Sequence, residues 1–215
     1  FQNSNVCKFM KKYDISSLDE LCIKSKNNLE WFWESVDKDI GIIWDKPYTK
    51  TLDTSNGIAW SKWFVNGKTN IYKSSVEKFT KKTPEKIAYD FISEDGIQTK
   101  VSYFELNSKV SKFAGALKKQ GVNKGDRVII YMPMIPEAAY AMLACTRIGA
   151  VHSVVFGGFS APSLAERIKD SDSNCIITAQ DAQRRGKTIP LREIVEDALK
   201  HAPSIQSIVT LNKAE

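Results

Sequence analysis

No apolar run in this 215-residue sequence approaches the roughly 18 to 20 residues that a membrane-spanning helix needs. The opening residues are polar and carry Lys8, Lys11 and Lys12 where a secretory leader would need an apolar core, so no membrane partner is expected. Cysteine is sparse: Cys7, Cys22, Cys145 and Cys175 are scattered with no CxxC spacing, and His152 and His201 are the only histidines. That excludes a disulfide framework and a zinc finger as readings, leaves no metal site to name, and fits a reducing, cytoplasmic setting. Neither GxxxxGK[ST] nor a GxGxxG following a strand occurs, so the two common nucleotide-binding fingerprints are missing.

What is present is an ordinary globular composition, 42% hydrophobic and 26% charged, which argues against disorder or a coiled coil. The net charge of +6 invites a nucleic-acid reading, but its distribution does not. Residues 61 to 130 carry 14 basic and 7 acidic side chains, while the flanking segments are close to balanced. The excess is mostly lysine spread along expected helix surfaces (Lys78, Lys81, Lys82, Lys109, Lys112, Lys118, Lys119), a solvated face rather than a phosphate-tracking stripe. No nucleic-acid partner is expected.

All five tryptophans lie in the first 63 residues, which sets that segment apart from the rest. Residues 1 to 72 read as an amino-terminal extension: one or two amphipathic helices before Gly41, starting from the capping-box spacing of Ser17 and Glu20, and then a wrapping loop from Ile42 to about Tyr72. Residues 73 to 215 read as a regular α/β domain. Ile87 to Ile92 and Thr99 to Tyr103 form a hairpin, and a helix opens on the capping box of Ser102 and Glu105. Strands then alternate with helices: Arg127 to Met132, Pro136 to Ile148, Ala150 to Val155, Ser160 to Asp170, Cys175 to Thr178, Pro190 to His201 and Ile205 to Leu211. Short, nearly continuous apolar strands between helices mean a helix-flanked, mostly parallel sheet.

Ligands of such sheets bind beyond the carboxyl ends of the strands. Three loops qualify. Met132 to Pro136 reads equally as helix-capping chemistry, with Pro136 at a helix start. Phe156-Gly157-Gly158-Phe159 reads either as a backbone that lets a ligand approach closely between two aromatics, or as a tight turn with two core phenylalanines. Arg184-Arg185-Gly186-Lys187 puts three cations and a glycine after a strand, suited to phosphate or simply a solvated basic loop. His152 reads as a core histidine, Cys145 and Cys175 as small core residues, and the tryptophans as packing.

Several stretches together resemble the AMP-forming acyl-CoA synthetases of the adenylate-forming superfamily, within it the acetyl-CoA synthetase (acetate-CoA ligase) group and its propionyl-CoA relatives. They are Phe32-Trp33, Trp63 to Lys68, Lys124 to Val128, Tyr131 to Glu137, Ala141 to Ala144, Ile148 to Ser160 and Arg184 to Lys187. The resemblance runs in order over nearly the whole chain. It implies the first part of the large amino-terminal domain of those enzymes, preceded by a helical, Trp-rich extension. The implied reaction joins a short-chain carboxylate to ATP, giving an acyl-adenylate and diphosphate with the help of Mg²⁺, then passes the acyl group to coenzyme A and releases AMP.

By that resemblance Phe156, Gly157 and Gly158 lie along the channel for the pantetheine thiol, and Arg184, Arg185, Gly186 and Lys187 bind the nucleotide phosphates of CoA. Many members have a small residue where Arg185 stands, and a glycine and a histidine where Asn66 and Phe79 stand. No catalytic residue is expected within the chain. The family's phosphate loop, adenine and acyl pockets and catalytic lysine match nothing in it, and the sequence opens at Phe1 rather than at methionine. It is therefore expected to be an amino-terminal piece, with the remainder of its own chain as partner. A propionyl-CoA synthetase fragment and a non-catalytic CoA- or nucleotide-binding module are the alternatives. The 215-residue chain alone is expected to show no acetate-dependent exchange of label between diphosphate and ATP; robust exchange by the pure chain would overturn that expectation.

Overall fold

In a computed structural model of the chain, residues 3–212 are described. They form two compact units, divided between Ser74 and Ser75.

The first unit opens with three helices: α1 (Asn5–Lys12), α2 (Leu18–Asn27) and α3 (Leu29–Ile40). Each begins on a side-chain cap, Ser4, Ser17 and Asn28, whose oxygen accepts an amide N–H that the first turn leaves over. Glu20 closes its end of the Ser17 cap by accepting from the Ser16 amide (2.8 Å) and hydroxyl (2.5 Å). Phe9, Met10, Ile15 and Leu21 are buried together, with Tyr13, Trp31, Phe32 and Val36 packed around them. The helices thus cover one another, and the sequence reading missed the first.

The expected wrapping loop is not a loop. It holds four short strands in two antiparallel pairs, β1 (Trp44–Lys46) with β4 (Lys68–Thr69) and β2 (Lys50–Asp53) with β3 (Lys62–Val65). Strands of two to four residues are too short to show alternation, so nothing in the pattern marked them. Asp37 holds this part together. Its buried carboxylate accepts Trp44 Nε1–H on both oxygens, at 3.0 and 3.1 Å, and the Tyr48 hydroxyl at 3.2 Å. Burial and that nearby charge raise the Tyr48 phenol above its ordinary value.

The Trp44, Tyr48 and Phe64 rings pack on one another with centroids 5.0 to 5.4 Å apart. Reaching this position bends the backbone into the left-handed region at Phe64 (φ +48°) and Asn66 (φ +63°), the latter where glycine is common in the resembling family. Trp60 takes no part and is 75% exposed, so the tryptophans are not all packing.

The second unit opens with α4 (Lys78–Lys82) and then follows the expected order, with the hairpin β5 (Ile87–Ile92) and β6 (Gln98–Ser102), and α5 (Tyr103–Lys119). The Ser102–Glu105 capping box is complete in both directions. Leu106, Val110, Ala114 and Leu117 form the buried stripe of α5. Then come β7 (Arg127–Met132), α6 (Pro136–Ile148), β8 (Val151–Phe156), α7 (Ala161–Ser171), β9 (Cys175–Ala179), β10 (Ala182–Arg184), β11 (Lys187–Ile189), α8 (Leu191–Leu199) and β12 (Ser207–Leu211).

Four of these strands make one parallel sheet in the order β12-β9-β7-β8. Ile129 and Tyr131 of β7 face a core with Leu164, Ile168, Leu191 and Val195 of α7 and α8, while the alternate residues Val128 and Ile130 are buried on the other face. Cys145 and Cys175 are buried, as expected, and burial pushes the Cys145 thiol up to about 12. His152 is only half-buried, so it is no core histidine; that burial lowers its imidazole below the ordinary value. Arg127 ties the amino end of β7 to the end of α7 through the Ser171 carbonyl (3.0 Å) and the Asp172 carbonyl and carboxylate (2.6 and 2.8 Å).

In the first unit, a Cβ on Gly67 would lie 2.5 Å from Trp44 Cζ3, inside the ring cluster. Gly67→Ala is expected to destabilise that unit by about 1 to 3 kcal/mol, read as a lower unfolding midpoint by tryptophan fluorescence.

Candidate functional site

The carboxyl ends of β7, β8 and β9 bring the three candidate loops to one edge of the sheet. Pairing is in register, Tyr131 opposite Val155 on one side and Thr178 on the other, and Met132 opposite Phe156. Tyr131, fully buried among apolar side chains, turns its hydroxyl to the next loop. It donates to the Phe159 carbonyl at 2.8 Å and lies 3.3 Å from the Gly157 carbonyl. Burial raises its phenol above the ordinary value, so the hydroxyl keeps its proton and remains a donor. The Phe159 amide closes the loop on the Phe156 carbonyl at 3.0 Å.

The two phenylalanines divide the two readings between them. Phe159 packs against the core beneath α7, with the Arg167 guanidinium 5.0 Å from its ring centre. Phe156 is 58% exposed and stands edge-on to Phe159, with centroids 6.2 Å apart. The two glycines also differ. A Cβ on Gly157 would meet Met132 O at 3.5 Å, an ordinary contact, whereas one on Gly158 would lie 2.6 Å from the Phe156 ring and 2.9 Å from Arg184 Nη1. Gly158 therefore leaves room that Phe156 and Arg184 occupy.

The expected basic loop is a hairpin. β10 and β11 pair antiparallel with Ala182 opposite Ile189, Gln183 opposite Thr188 and Arg184 opposite Lys187. Arg185 (φ +51°) and Gly186 (φ +71°) form the two-residue connection, left-handed at both positions, as the twist of a hairpin favours. Glycine is at ease there and arginine is not. The usual Asn-Gly or Asp-Gly signal was absent, so the sequence suggested a turn here but not the paired strands on either side of it.

The hairpin places Arg184 and Lys187 directly across from each other on exposed strands, two like charges whose repulsion disfavours the pairing. Among the described residues neither forms an ion pair. Arg184 instead lays its guanidinium over Phe156, 5.1 Å from the ring centre, joining two loops that are distant in sequence. Phe156, Gly158 and Arg184 are thus brought together, with Lys187 paired beside Arg184 and Arg185 at the tip. Glu94, from the β5–β6 turn, joins them by accepting the Arg185 amide at 2.5 Å. No sequence signal links two residues so far apart. A nearby depression of about 660 Å³ at the starts of α7 and α8 contains none of the candidate residues, and Glu193, Glu196 and Asp197 along it disfavour an anion.

A model of the AMP-binding enzyme family matches residues 76–215. The chain belongs to that family. A second model, of the acetyl-coenzyme A synthetase N-terminus, matches residues 18–74. Among curated proteins the chain is similar to acetyl-coenzyme A synthetase of Parvibaculum lavamentivorans, 47% identical over 191 residues that cover 87% of the chain and 29% of that protein. It is also similar to the acetyl-coenzyme A synthetase of a Marinomonas species, 40% identical over 222 residues covering 100% of the chain and 32% of that protein. The chain thus spans about a third of the length of these relatives. Among solved structures, the acetoacetyl-CoA synthetase from Streptomyces lividans shares the fold with a TM-score of 0.90 at 23% identity, covering 100% of the chain and 34% of its own.

Tyr131→Phe removes the hydroxyl that ties the β8–α7 loop to β7. It is expected to lower stability by about 1 kcal/mol and to speed amide exchange at Gly158 and Phe159 selectively. Uniform acceleration across the sheet would show that the loop is held by other means.

Proposed function

We propose that the chain is the amino-terminal part of an AMP-forming acetate-CoA ligase, with residues 73–215 as part of the adenylating domain and residues 1–72 as its extension. The whole enzyme converts acetate and ATP to acetyl-adenylate and diphosphate, then lets the CoA thiol displace AMP to give acetyl-CoA. The names of the similar proteins favour acetate over propionate. A cytoplasmic setting is part of the proposal, on the four free thiols. No helix among the described residues is long and apolar enough to cross a membrane.

Within this chain the proposed task is to receive coenzyme A. The observation that carries it is the Arg184–Lys187 pair, two cations that form no ion pair among the described residues, held opposite each other beside an exposed aromatic ring and a glycine. Such an arrangement stabilises a ligand that brings several negative charges: the guanidinium fork can hold one phosphate bidentately while the ammonium holds a second as a point charge. Coenzyme A carries a 3′-phosphate and a diphosphate. Phe156, Gly157 and Gly158 then border the path along which the pantetheine arm leaves the nucleotide. Ligases of this kind use Mg²⁺ in the adenylating step. Among the described residues no group of three His, Cys, Asp or Glu side chains comes together, and no step here runs through the ion.

Calorimetry with the chain should show Arg184→Ala weakening CoA about five- to tenfold while 3′-dephospho-CoA binding changes little. An equal loss for both would place the 3′-phosphate elsewhere.

A further inference from the structure

The β5–β6 turn that carries Glu94 is closed on itself. The Ser93 amide donates to the Ile97 carbonyl and the Gly96 amide to the Ser93 carbonyl, each at 3.0 Å, and the Ile97 amide donates to Ser93 Oγ at 3.1 Å. The Ser93 hydroxyl also bonds the Asp95 carboxylate, so of the two adjacent acids Asp95 folds back on its own turn and Glu94 reaches out. Its Oε1 takes the Arg185 N–H at 2.5 Å, across 91 positions of sequence. That amide is in the two-residue connection, where the strand ladder leaves it unused, between Arg184 and Lys187, which stand opposite each other across the turn.

We propose that Glu94 is a tethered counter-anion of this turn, a latch that the phosphate of coenzyme A must displace and that thereby restricts the site to ligands bearing several negative charges. The inference rests on the coenzyme reading above. The carboxylate itself marks where the turn accepts an anion, because an unused backbone N–H beside cations is an anion seat. A carboxylate held on a neighbouring turn competes at an effective concentration on the order of millimolar or more, so a lone monoanion such as acetate or chloride does not replace it. A ligand that also engages Arg184 and Lys187 does. The alternative is that Glu94 is a strut which shapes the turn for binding, and the two make opposite predictions.

Three forms of the chain decide between them: wild type, Glu94→Gln, which keeps an acceptor and loses the charge, and Glu94→Ala, which loses both. Each is titrated with CoA while the ¹⁵N–¹H signal of Arg185 is followed, with Arg184→Ala as control. The expected result is that CoA moves the wild-type Arg185 signal away from its carboxylate-bonded position, and that both Glu94 variants bind CoA about two- to fivefold more tightly. Binding by Glu94→Ala that equals or falls below wild type, with Arg184→Ala still impaired, would overturn the latch and leave the coenzyme reading standing. No CoA binding by any form would remove the coenzyme reading and the latch with it.

Discussion

Everything at the carboxyl edge of the sheet depends on β7 being paired in parallel on both sides at a fixed register. A slip by one residue would turn Tyr131 from the α7–α8 core to the opposite face and take its hydroxyl away from the Phe159 carbonyl. The register is set from the other end. Arg127 is clamped to the last residues of α7, and the Val151 amide donates to the Asp126 carbonyl at 2.8 Å, so β8 starts level with β7. Fixing the amino ends therefore fixes where Met132 and Phe156 stop, and the loops that follow inherit their positions.

This divides the stretches that carried the family resemblance into two kinds. Trp63 to Lys68 and Lys124 to Val128 serve folding: the first threads a strained backbone under Trp44, and the second starts the central strand far from the candidate loops. Phe156 to Ser160 and Arg184 to Lys187 emerge at the carboxyl edge, where they carry exposed charge and an exposed ring. The resemblance alone did not separate the two kinds; the position along the strand does, and it makes the second kind the candidates for a ligand.

The second unit was legible because its signals are local and complete within one element. Apolar strands of five or six residues, a complete capping box at Ser102 and proline at the start of α6 each act over a few neighbours and agree with the final packing. The first unit was legible in its helices and not in its strands, because two- to four-residue pairs stabilised by Asp37 and a ring cluster have no pattern of their own. At the candidate site, composition located the cations but not the hairpin, since Arg185-Gly186 is an unusual pair for a turn left-handed at both positions. Contacts such as Glu94 with Arg185 or Arg184 with Phe156 exist only once the sheet has brought distant segments together.

The strand order also says how the sheet can be assembled. β7 is the first of its four strands in the chain; β8 joins one of its edges, β9 the other, and β12 then joins β9. Each strand adds to an edge that already exists, and none has to be inserted between two partners that are already paired. The sheet can grow outward from β7 in the order in which a ribosome would release it, each addition buried by the helix that precedes or follows it, without undoing an earlier pairing.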